Sequence, residues 1–292
     1  MGYKVDNAVI MAAGTSSRFA PLSHEMPKGL ITVRGEVLIE RQIKQLREAG
    51  IPEIIVVTGY MHERFDYLAD ALGVHLVHNP AYRVRNNNSS IYAVREYLRN
   101  SYICSSDNYF TENPFEAEVD DAYYAVVYAD GHTDEWCMQT GADGYVNSIR
   151  IGGCNAWYML GHVFWNEEFS ERFIRILERE YERPETASKL WEAIYAEHLD
   201  ELHLRLRKYD SRLIFEFDSL DELRLFDESY VSDTRSRIIG QIAAELHCPE
   251  SALTDFNALK SAGGNEAIGF SFRHHADTYR YIYETNTLKR EE

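Results

Sequence analysis

Residues 8–18 read AVIMAAGTSSR, an apolar segment followed by small residues and an arginine. Ala8 to Met11 form an apolar run that predicts a buried strand, and a loop of small residues follows it. Small side chains let backbone N–H groups close around phosphate oxygens, so this loop is a candidate anion-binding site. It is not a Walker A loop, because no Gly-Lys-Ser/Thr follows.

Two cationic side chains follow the loop closely. Arg18 can donate two hydrogen bonds to a polyphosphate. Lys28, directly after Pro27, can place a positive charge beside the same phosphates. The alternative is a solvated turn with two unrelated cations. The loop together with Arg18 and Lys28 favours a site that binds the leaving phosphates of a nucleotide.

Short apolar runs alternate with helical patterns through the first hundred residues. Strands are predicted at 8–11, 53–57, 74–77 and 102–104, and helices at 37–49, 62–72 and 90–98. Gly50 and Gly73 stand where helix C-cap glycines are expected. The alternation predicts an α/β fold with a mixed, mostly parallel sheet and helices on both of its faces, a Rossmann-like three-layer arrangement.

Later segments extend this sheet. Aromatic-rich strands separated by turns are predicted at 123–128, 145–151 and 157–165, with strands at 203–206 and 213–217 and a short helix from Leu220. Amphipathic helices are predicted at 167–182 and 188–198.

The composition shifts near Ser232, which predicts a domain at residues 1–231 and a small α+β appendage at 232–292. The appendage is expected to contain a helix over 234–247 with Asp233 as its N-cap, a turn at Gly263-Gly264, and strands at 268–272 and 279–283.

Composition excludes several classes of protein. The 292 residues are 45% hydrophobic with a net charge of −17, which argues against disorder and against a nucleic-acid partner. No apolar run reaches the roughly 18 residues of a membrane-spanning helix. The four cysteines form no CxxC pair, so reduced thiols in a cytoplasmic protein are expected.

The chain resembles the nucleotidyltransferase superfamily with its GxGxR…PK signature, and within it the bacterial choline-phosphate cytidylyltransferases. The resemblance covers roughly residues 5–230. It is carried by Ala12-Ala13-Gly14 with Arg18, Pro27-Lys28, Thr58-Gly59-Tyr60, Asn86-Asn87-Asn88-Ser89-Ser90, Asp107-Asn108-Tyr109, Glu135-Trp136, Gly161-His162-Val163-Phe164-Trp165 and Phe217-Asp218-Ser219. The order and spacing of these pieces are specific, although each piece alone is weak.

The resemblance implies a nucleotide site and a metal site. Arg18 and Lys28 would be the catalytic cations, and Mg²⁺ would be held by Asp107 and Asp218, since Mg²⁺ prefers carboxylate oxygens. The implied nucleotide-binding residues are Ala12, Ala13, Gly14, Thr15, Ser16, Gly59, Asn88, Ser89, Ser90 and Asp107. Structural alternatives are a turn or cap at Asp107, an N-cap at Asp218, and helix capping by Asn88 or Ser89.

The resemblance also implies an acceptor site made of Glu135, Trp136, Trp191 and Glu192. Aromatic faces and carboxylates suit a quaternary ammonium, which has no N–H donors. The chain has Leu190 where a member of the choline-phosphate cytidylyltransferases has a tyrosine. The loss of this aromatic ring weakens an aromatic cage and somewhat favours an acceptor with a primary amine. Core packing is the alternative role for both tryptophans.

The function implied is transfer of CMP from CTP to phosphocholine, giving CDP-choline and pyrophosphate. The alternatives are 2-aminoethylphosphonate or phosphoethanolamine as acceptor, a sugar-1-phosphate acceptor, and a catalytically silent nucleotide-binding module. CTP and a small phosphorylated amino-alcohol or aminophosphonate would be the partners, with no nucleic acid and no membrane. A homodimer is left open.

The appendage weakly resembles the start of a choline-kinase-like N-lobe, through Asp255-Phe256-Asn257-Ala258-Leu259, Gly263-Gly264-Asn265 and the two strands that follow. This resemblance implies a remnant of, or a fusion to, a kinase-like domain. A dimer contact and a lid are the alternatives.

Overall fold

The computed structural model describes residues 2–260 and 266–291. By their contacts the residues divide into two compact units. The first unit comprises Met1–Gly14 and Ile39–Glu216, and the second comprises Thr15–Leu38 and Phe217–Glu292. The division predicted at residues 231 and 232 stays a prediction. Within the described ranges, no helix has both the length and the apolar character needed to cross a membrane.

The elements are numbered in chain order. The strands are β1 (Tyr3–Lys4), β2 (Asn7–Ala12), β3 (Thr32–Val33), β4 (Glu36–Val37), β5 (Glu53–Thr58), β6 (His75–His78), β7 (Ser101–Ser105), β8 (Tyr109–Phe110), β9 (Glu118–Val119), β10 (Tyr123–Thr140), β11 (Val146–Trp165), β12 (Arg205–Tyr209), β13 (Ile214–Phe215), β14 (Leu253–Lys260), β15 (Ala267–His274), β16 (Asp277–Ile282) and β17 (Thr287–Arg290). The α-helices are α1 (Leu22–Glu25), α2 (Leu38–Glu48), α3 (Tyr67–Leu72), α4 (Asn88–Ala93), α5 (Glu167–Glu180), α6 (Trp191–Glu197), α7 (Leu220–Phe226), α8 (Ser229–Ser232) and α9 (Arg237–Glu245).

The first unit is built on a seven-stranded sheet in the order β12-β10-β11-β7-β2-β5-β6. Parallel pairs are β2 with β5, β2 with β7, β5 with β6 and β10 with β12, whereas β11 runs antiparallel to β10 and β7. β2 is central and almost wholly buried, as a strand covered on both faces must be. The mixed, mostly parallel sheet predicted from the sequence is confirmed.

Successive side chains of the central strands point to opposite faces. Val9, Ile55 and Ile103 join one large core with α4, α5 and α6. On α2, Ile39, Ile43 and Leu46 are buried, at the spacing predicted for one helix face. Gly50 has a positive φ after this helix, as the C-cap prediction required.

The middle of the chain differs from the prediction of three separate strands. β10 and β11 instead form one long ribbon of 18 and 20 residues, interrupted by register shifts. Gly131, Gly152 and Gly161 have positive φ along this ribbon. Bulges of this kind break the strict alternation of apolar and polar residues, so a pattern of period two detects only the regular pieces.

The helix predicted over 90–98 is also shorter than expected. It begins at Asn88 and ends at Ala93, so residues 94–98 lie outside it.

The second unit contains the hairpin of β3 and β4, helices α7 to α9, and an antiparallel sheet in the order β14-β15-β16-β17. β15 and β16 confirm the two predicted strands, whereas β14 and β17 were not predicted. The helix after residue 232 begins later than expected. Its N-cap is Ser236, which accepts the N–H of Ile239, and not Asp233. The Gly263-Gly264 turn lies outside the described residues.

Candidate active site

The loop Ala12–Gly14 lies where β2 ends, and we call it the strand-end loop. The Ala13 carbonyl accepts the N–H of Tyr60 at 3.1 Å, which joins the loop to the segment after β5. A Cβ atom placed on Gly59 would lie 2.7 Å from the Ala13 oxygen, a distance that real Cβ atoms essentially never show. The structure therefore brings the predicted residues Ala13 and Gly59 into contact and explains why residue 59 is glycine.

Gly14 differs from Gly59 in its surroundings. A Cβ atom at Gly14 would meet no atom of the described residues within 4 Å, and its φ is not positive. Neither packing nor backbone conformation therefore demands a glycine at this position. Open space at the end of a central parallel strand is where α/β sheets bind their ligands.

Asp107 follows β7, the strand next to β2. Met11 pairs with Ser105 in register, and the N–H of Ser106 donates to the Met11 carbonyl at 3.1 Å. The Ser105 hydroxyl donates to the Asp107 carboxylate at 2.6 Å, which orients that carboxylate. Asp107 thus lies just beyond the same strand ends as the strand-end loop, with oxygen ligands of the kind that Mg²⁺ prefers.

The predicted base-binding run Asn88–Ser90 is buried at the start of α4. The Asn88 amide donates to the carbonyls of Thr186 and Lys189, at 2.9 and 2.5 Å. The hydroxyls of Ser89 and Ser90 both accept from the Asn79 amide. These contacts favour a structural role that holds α4 against the segment before α6, and the predicted contact with the base stays a prediction.

Glu192 lies on the first turn of α6 within a set of polar partners. The Asn87 amide donates to one carboxylate oxygen at 3.0 Å, and the Tyr124 hydroxyl donates to the other at 3.5 Å. Asn87 also accepts the N–H of Trp191 at 2.7 Å, which fixes the start of the helix. Burial raises the pKa of Glu192 to about 7, although the bonds from Asn87 and Tyr124 act in the opposite direction.

The pKa values of two tyrosines, Tyr124 and Tyr158, are raised in part by carboxylates near them. Burial raises the pKa of Tyr124 well above its ordinary value, and the negative charges of Glu192 and Glu216 add to the rise. Burial likewise raises the pKa of Tyr158, with added contributions from Glu135 and Glu216. We call Asn87, Tyr124, Tyr158, Glu192 and Glu216 the acceptor cluster. Aromatic rings beside several carboxylates form a surrounding suited to a small cation.

The sequence missed four members of this cluster: Asn87, Tyr124, Tyr158 and Glu216. Weak signals for two of them were present, since Asn87 belongs to the asparagine run and Glu216 precedes Asp218 by two residues. Nothing in the local pattern distinguishes Tyr124 or Tyr158 from the other tyrosines among the chain's 20.

The two predicted acceptor-site tryptophans have different surroundings. Trp191 is 1% exposed, lies face to face with Tyr124 at a centroid distance of 5.7 Å, and meets Trp165 edge-on. Its burial favours core packing that supports Glu192. Trp136 lies on β10 beside the exposed Glu135 and is only partly buried against the core. The predicted substrate contacts of both rings stay predictions.

In the second unit, Arg18 and Lys28 converge on Asp218. The Arg18 guanidinium donates to the carboxylate at 2.5 Å, and the Lys28 ammonium lies 3.5 Å from its other oxygen. Arg18 is 70% exposed, whereas Lys28 is 5% exposed. The predicted residues Thr15 and Ser16 precede this group, and Ser16 has a left-handed conformation ahead of a single 3₁₀ turn.

Asp218 is not the N-cap of α7. The Ser219 hydroxyl accepts the N–H of Glu222, and the Glu222 carboxylate accepts the N–H of Asp218 at 2.7 Å, so the capping is complete without the Asp218 side chain. The Asp218 carboxylate therefore takes no part in capping and contacts Arg18 and Lys28.

Comparison with known proteins identifies the family. The sequence profile of the MobA-like NTP transferase domain matches residues 8–130. The chain is 34% identical to a choline-phosphate cytidylyltransferase of Streptococcus pneumoniae over 221 residues, 76% of this chain and 96% of that protein. The chain belongs to the MobA-like nucleotidyltransferase family. The predicted class of enzyme, a nucleotidyltransferase, is confirmed.

Two further similarities narrow the comparison within the MobA-like nucleotidyltransferases. The chain is 35% identical to a 2-aminoethylphosphonate cytidylyltransferase of Lancefieldella rimae over 234 residues, 79% of this chain and 95% of that protein. The solved structure of a CTP:phosphocholine cytidylyltransferase from Streptococcus pneumoniae superposes with a TM-score of 0.74, covering 78% of this chain and 99% of the other. These similarities confirm the predicted fold and the cytidylyltransferase group.

Members of this family generally use a divalent metal ion. Asp107 and Asp218 offer hard oxygen ligands in the first and second unit respectively, so the residue types fit such an ion. A different group, Glu180, Glu197 and His198, brings three ligand-type atoms within 4.8 Å of one another in the described part of the chain. There, Glu180 pairs with Arg183 at 3.5 Å and Glu197 with Lys189 at 2.6 Å.

Proposed function

We propose that this enzyme transfers CMP from CTP to phosphocholine, releasing pyrophosphate and forming CDP-choline. One observation carries the choice of acceptor. Both oxygens of the Glu192 carboxylate already accept hydrogen bonds, from Asn87 and Tyr124. A carboxylate held in this way supplies negative charge without requiring N–H donors from its ligand, which suits a trimethylammonium group beside aromatic rings.

In the proposed reaction an acceptor phosphate oxygen attacks the α-phosphorus of CTP. A new P–O bond forms as the bond between the α-phosphorus and the bridging oxygen breaks, and the electron pair leaves with pyrophosphate. The attacking oxygen is already anionic near neutral pH, so no general base is assigned. The chain's contribution is to position both substrates and to neutralise the leaving group through Arg18 and Lys28.

The proposed nucleotide contacts combine backbone and side chains. The strand-end loop and Gly59 would approach the nucleotide closely, because none of these residues carries a side chain larger than methyl. Asp107 and Asp218 are the proposed Mg²⁺ ligands. Bound Mg²⁺ would supply charge neutralisation of the phosphates. CTP is a cytoplasmic metabolite, so we place the enzyme in the cytoplasm.

A second candidate acceptor is 2-aminoethylphosphonate. The relative from Lancefieldella rimae and the aliphatic Leu190 before Trp191 favour it. In that case Glu192 and Glu216 would accept hydrogen bonds from a primary ammonium. Phosphoethanolamine tests the same amine with a phosphate in place of the phosphonate.

The test measures pyrophosphate release with CTP and Mg²⁺ while the acceptor is varied among phosphocholine, 2-aminoethylphosphonate and phosphoethanolamine. We expect the highest kcat/KM with phosphocholine. A higher value with both primary amines would move the assignment to the second candidate. No release with any of the three would contradict the proposed function, and the Asp107→Asn variant provides the inactive reference.

A further inference from the structure

Helix α1 lies between Arg18 and Lys28 in the chain, and it is only four residues long. A helix of this length has no stability of its own, because a single turn costs more conformational entropy than its few hydrogen bonds return. Its position therefore depends on contacts with other parts of the second unit. The two cations flank α1, so whatever holds α1 also sets their spacing.

The first such contact joins α1 to α9. The Ser236 hydroxyl donates to the Glu25 carboxylate at 2.5 Å. Ser236 is buried, and the same hydroxyl accepts the N–H of Ile239 at 3.1 Å as the N-cap of α9. The last residue of α1 is thus bound to the first turn of a helix that lies more than 200 residues later in the chain.

The second contact joins α1 to the antiparallel sheet. The His24 ring stacks on Tyr283, just after β16, with centroids 3.7 Å apart and planes within 2° of parallel. Burial lowers the pKa of His24, although the neighbouring Glu25 carboxylate acts in the opposite direction. The backbone on the other side of Lys28 is held as well, since the Thr32 carbonyl accepts from Tyr230 and Arg235, both at 2.7 Å.

We propose that residues 233–260 and 266–290 are a positioning element for the nucleotide: through Ser236 and Tyr283 they fix α1, and thereby the spacing of Arg18 and Lys28. The inference rests on the proposed function, in which these two cations bind the phosphates of CTP. Small displacements of charge-neutralising groups are costly to a reaction of this kind, on the order of a hundredfold for about 1 Å.

The test uses the full chain and removes, one at a time, the two side chains that join α1 to the rest of the second unit. Glu25→Ala and Tyr283→Ala should lower kcat/KM for CTP about tenfold while leaving KM for the acceptor unchanged, since only the phosphate-binding cations move. Glu25→Gln keeps an acceptor oxygen and Tyr283→Phe keeps the stacking ring, so both should stay close to wild type.

The matched control is Tyr279→Ala. The Tyr279 ring lies on β16, four residues before Tyr283, but it packs on Phe272 and near His274 and not on α1. Tyr279→Ala should leave kcat/KM for CTP unchanged. An equal loss in Tyr279→Ala, or wild-type kinetics in both Glu25→Ala and Tyr283→Ala, would overturn the inference.

Failure of the proposed function can be told apart from failure of this inference. If the wild-type enzyme releases no pyrophosphate with any acceptor, the proposed function is wrong, and calorimetric titration with CTP and Mg²⁺ then decides the inference. About tenfold weaker CTP binding in Glu25→Ala and Tyr283→Ala, with unchanged binding in Tyr279→Ala, supports the positioning role. Unchanged affinity in the first two variants contradicts it.

Discussion

The strand-end loop and the acceptor cluster belong to the same unit but are built in different ways. The loop is continuous in sequence, and its Ala13 lies so close to the backbone of Gly59, which follows β5, that only a glycine fits there. The acceptor cluster assembles side chains from five separate segments, around residues 87, 124, 158, 192 and 216. A contiguous motif can be recognised from sequence alone, whereas a cluster of distant side chains becomes visible only in the fold.

The largest expected effect tests the cationic end of the nucleotide site. Lys28→Ala should lower kcat by on the order of 10²- to 10³-fold, because the buried ammonium that neutralises the leaving phosphates in the proposed function is lost. Pyrophosphate release is the measurement, with circular dichroism to check the fold. Lys44→Ala removes an exposed positive charge on α2 and should change little. An unchanged rate in Lys28→Ala would contradict the proposed role.

A pair of glycine variants, Gly14 in the strand-end loop and Gly59 beside it, tests whether each glycine serves packing or binding. Gly59→Ala should destabilise the fold by about 1–3 kcal/mol, since its Cβ would overlap the Ala13 oxygen. Gly14→Ala should leave the melting temperature unchanged, because its Cβ enters open space among the described residues, but it should raise KM for CTP.

Thermal unfolding together with CTP kinetics separates these two outcomes. If both variants lost stability equally, the distinction between a packed glycine and an open one would be wrong. If Gly14→Ala kept the wild-type KM for CTP, the nucleotide would not approach the strand-end loop at that point.

The acceptor cluster is tested through Glu192. Glu192→Gln keeps the shape and an acceptor for Asn87 but removes the charge, so KM for phosphocholine should rise about tenfold, equivalent to ~1.4 kcal/mol, with KM for CTP unchanged. Glu197→Gln on the same helix, where Glu197 pairs with Lys189, is the matched control. Equal effects of the two variants would remove Glu192 from the acceptor site.

The raised pKa of Glu192 adds a dependence on pH. With a pKa of about 7, the wild-type kcat/KM for the acceptor should fall as pH drops from 8 to 6, because the protonated carboxyl carries no charge. The acceptor phosphate itself titrates near pH 6. In Glu192→Gln this is the only one of the two titrations that should still appear in the pH profile of kcat/KM. A wild-type profile identical to that of Glu192→Gln would contradict the assignment.

Stability should change with pH in a defined direction. The folded-state pKa of Glu192 lies above the ordinary value of 4.5, so the folded state binds the proton more tightly. The stability that this residue contributes is present below about pH 4.5 and is lost as pH rises through about 7. Glu192→Gln should therefore melt at a higher temperature than the wild type at pH 8, with no such gain in Glu197→Gln.

The smallest expected effect concerns Tyr124. Tyr124→Phe removes the long 3.5 Å hydrogen bond to Glu192 but keeps the ring against Trp191. Because that bond stabilises the charged carboxylate, its loss should raise the Glu192 pKa and shift the acid limb of the pH profile to higher pH. The loss in kcat/KM at pH 8 should be about two- to threefold. A shift to lower pH would contradict this account.

The sequence predicted those parts of the fold whose residues repeat regularly. Ala8 to Met11 and the α2 face with Ile39, Ile43 and Leu46 follow simple periods, and they appear where expected. The ribbon of β10 and β11 was divided wrongly because bulges interrupt its period. β14 and β17 lie in the antiparallel sheet with mixed polar and apolar residues, so no local pattern indicated them.

For the candidate site, the sequence predicted individual residues but not the contacts between them. Gly59, Asp107 and Glu192 came from short motifs and from the family resemblance. The contact between Gly59 and Ala13, and the bond from Ser105 to Asp107, follow from strand register that sequence alone does not fix. The homodimer and the kinase-like fusion stay predictions.

The near-neutral pKa of Glu192 also means that this enzyme should exchange protons with its buffer when it takes up its acceptor. With its pKa raised to about 7, Glu192 is expected to carry a proton in part of the ligand-free molecules near neutral pH. A cationic substrate favours the charged carboxylate, so each binding event should release a fraction of a proton into solution. The heat of binding should therefore differ between buffers of low and high ionisation enthalpy, and acidification should weaken substrate uptake before it affects the chemical step.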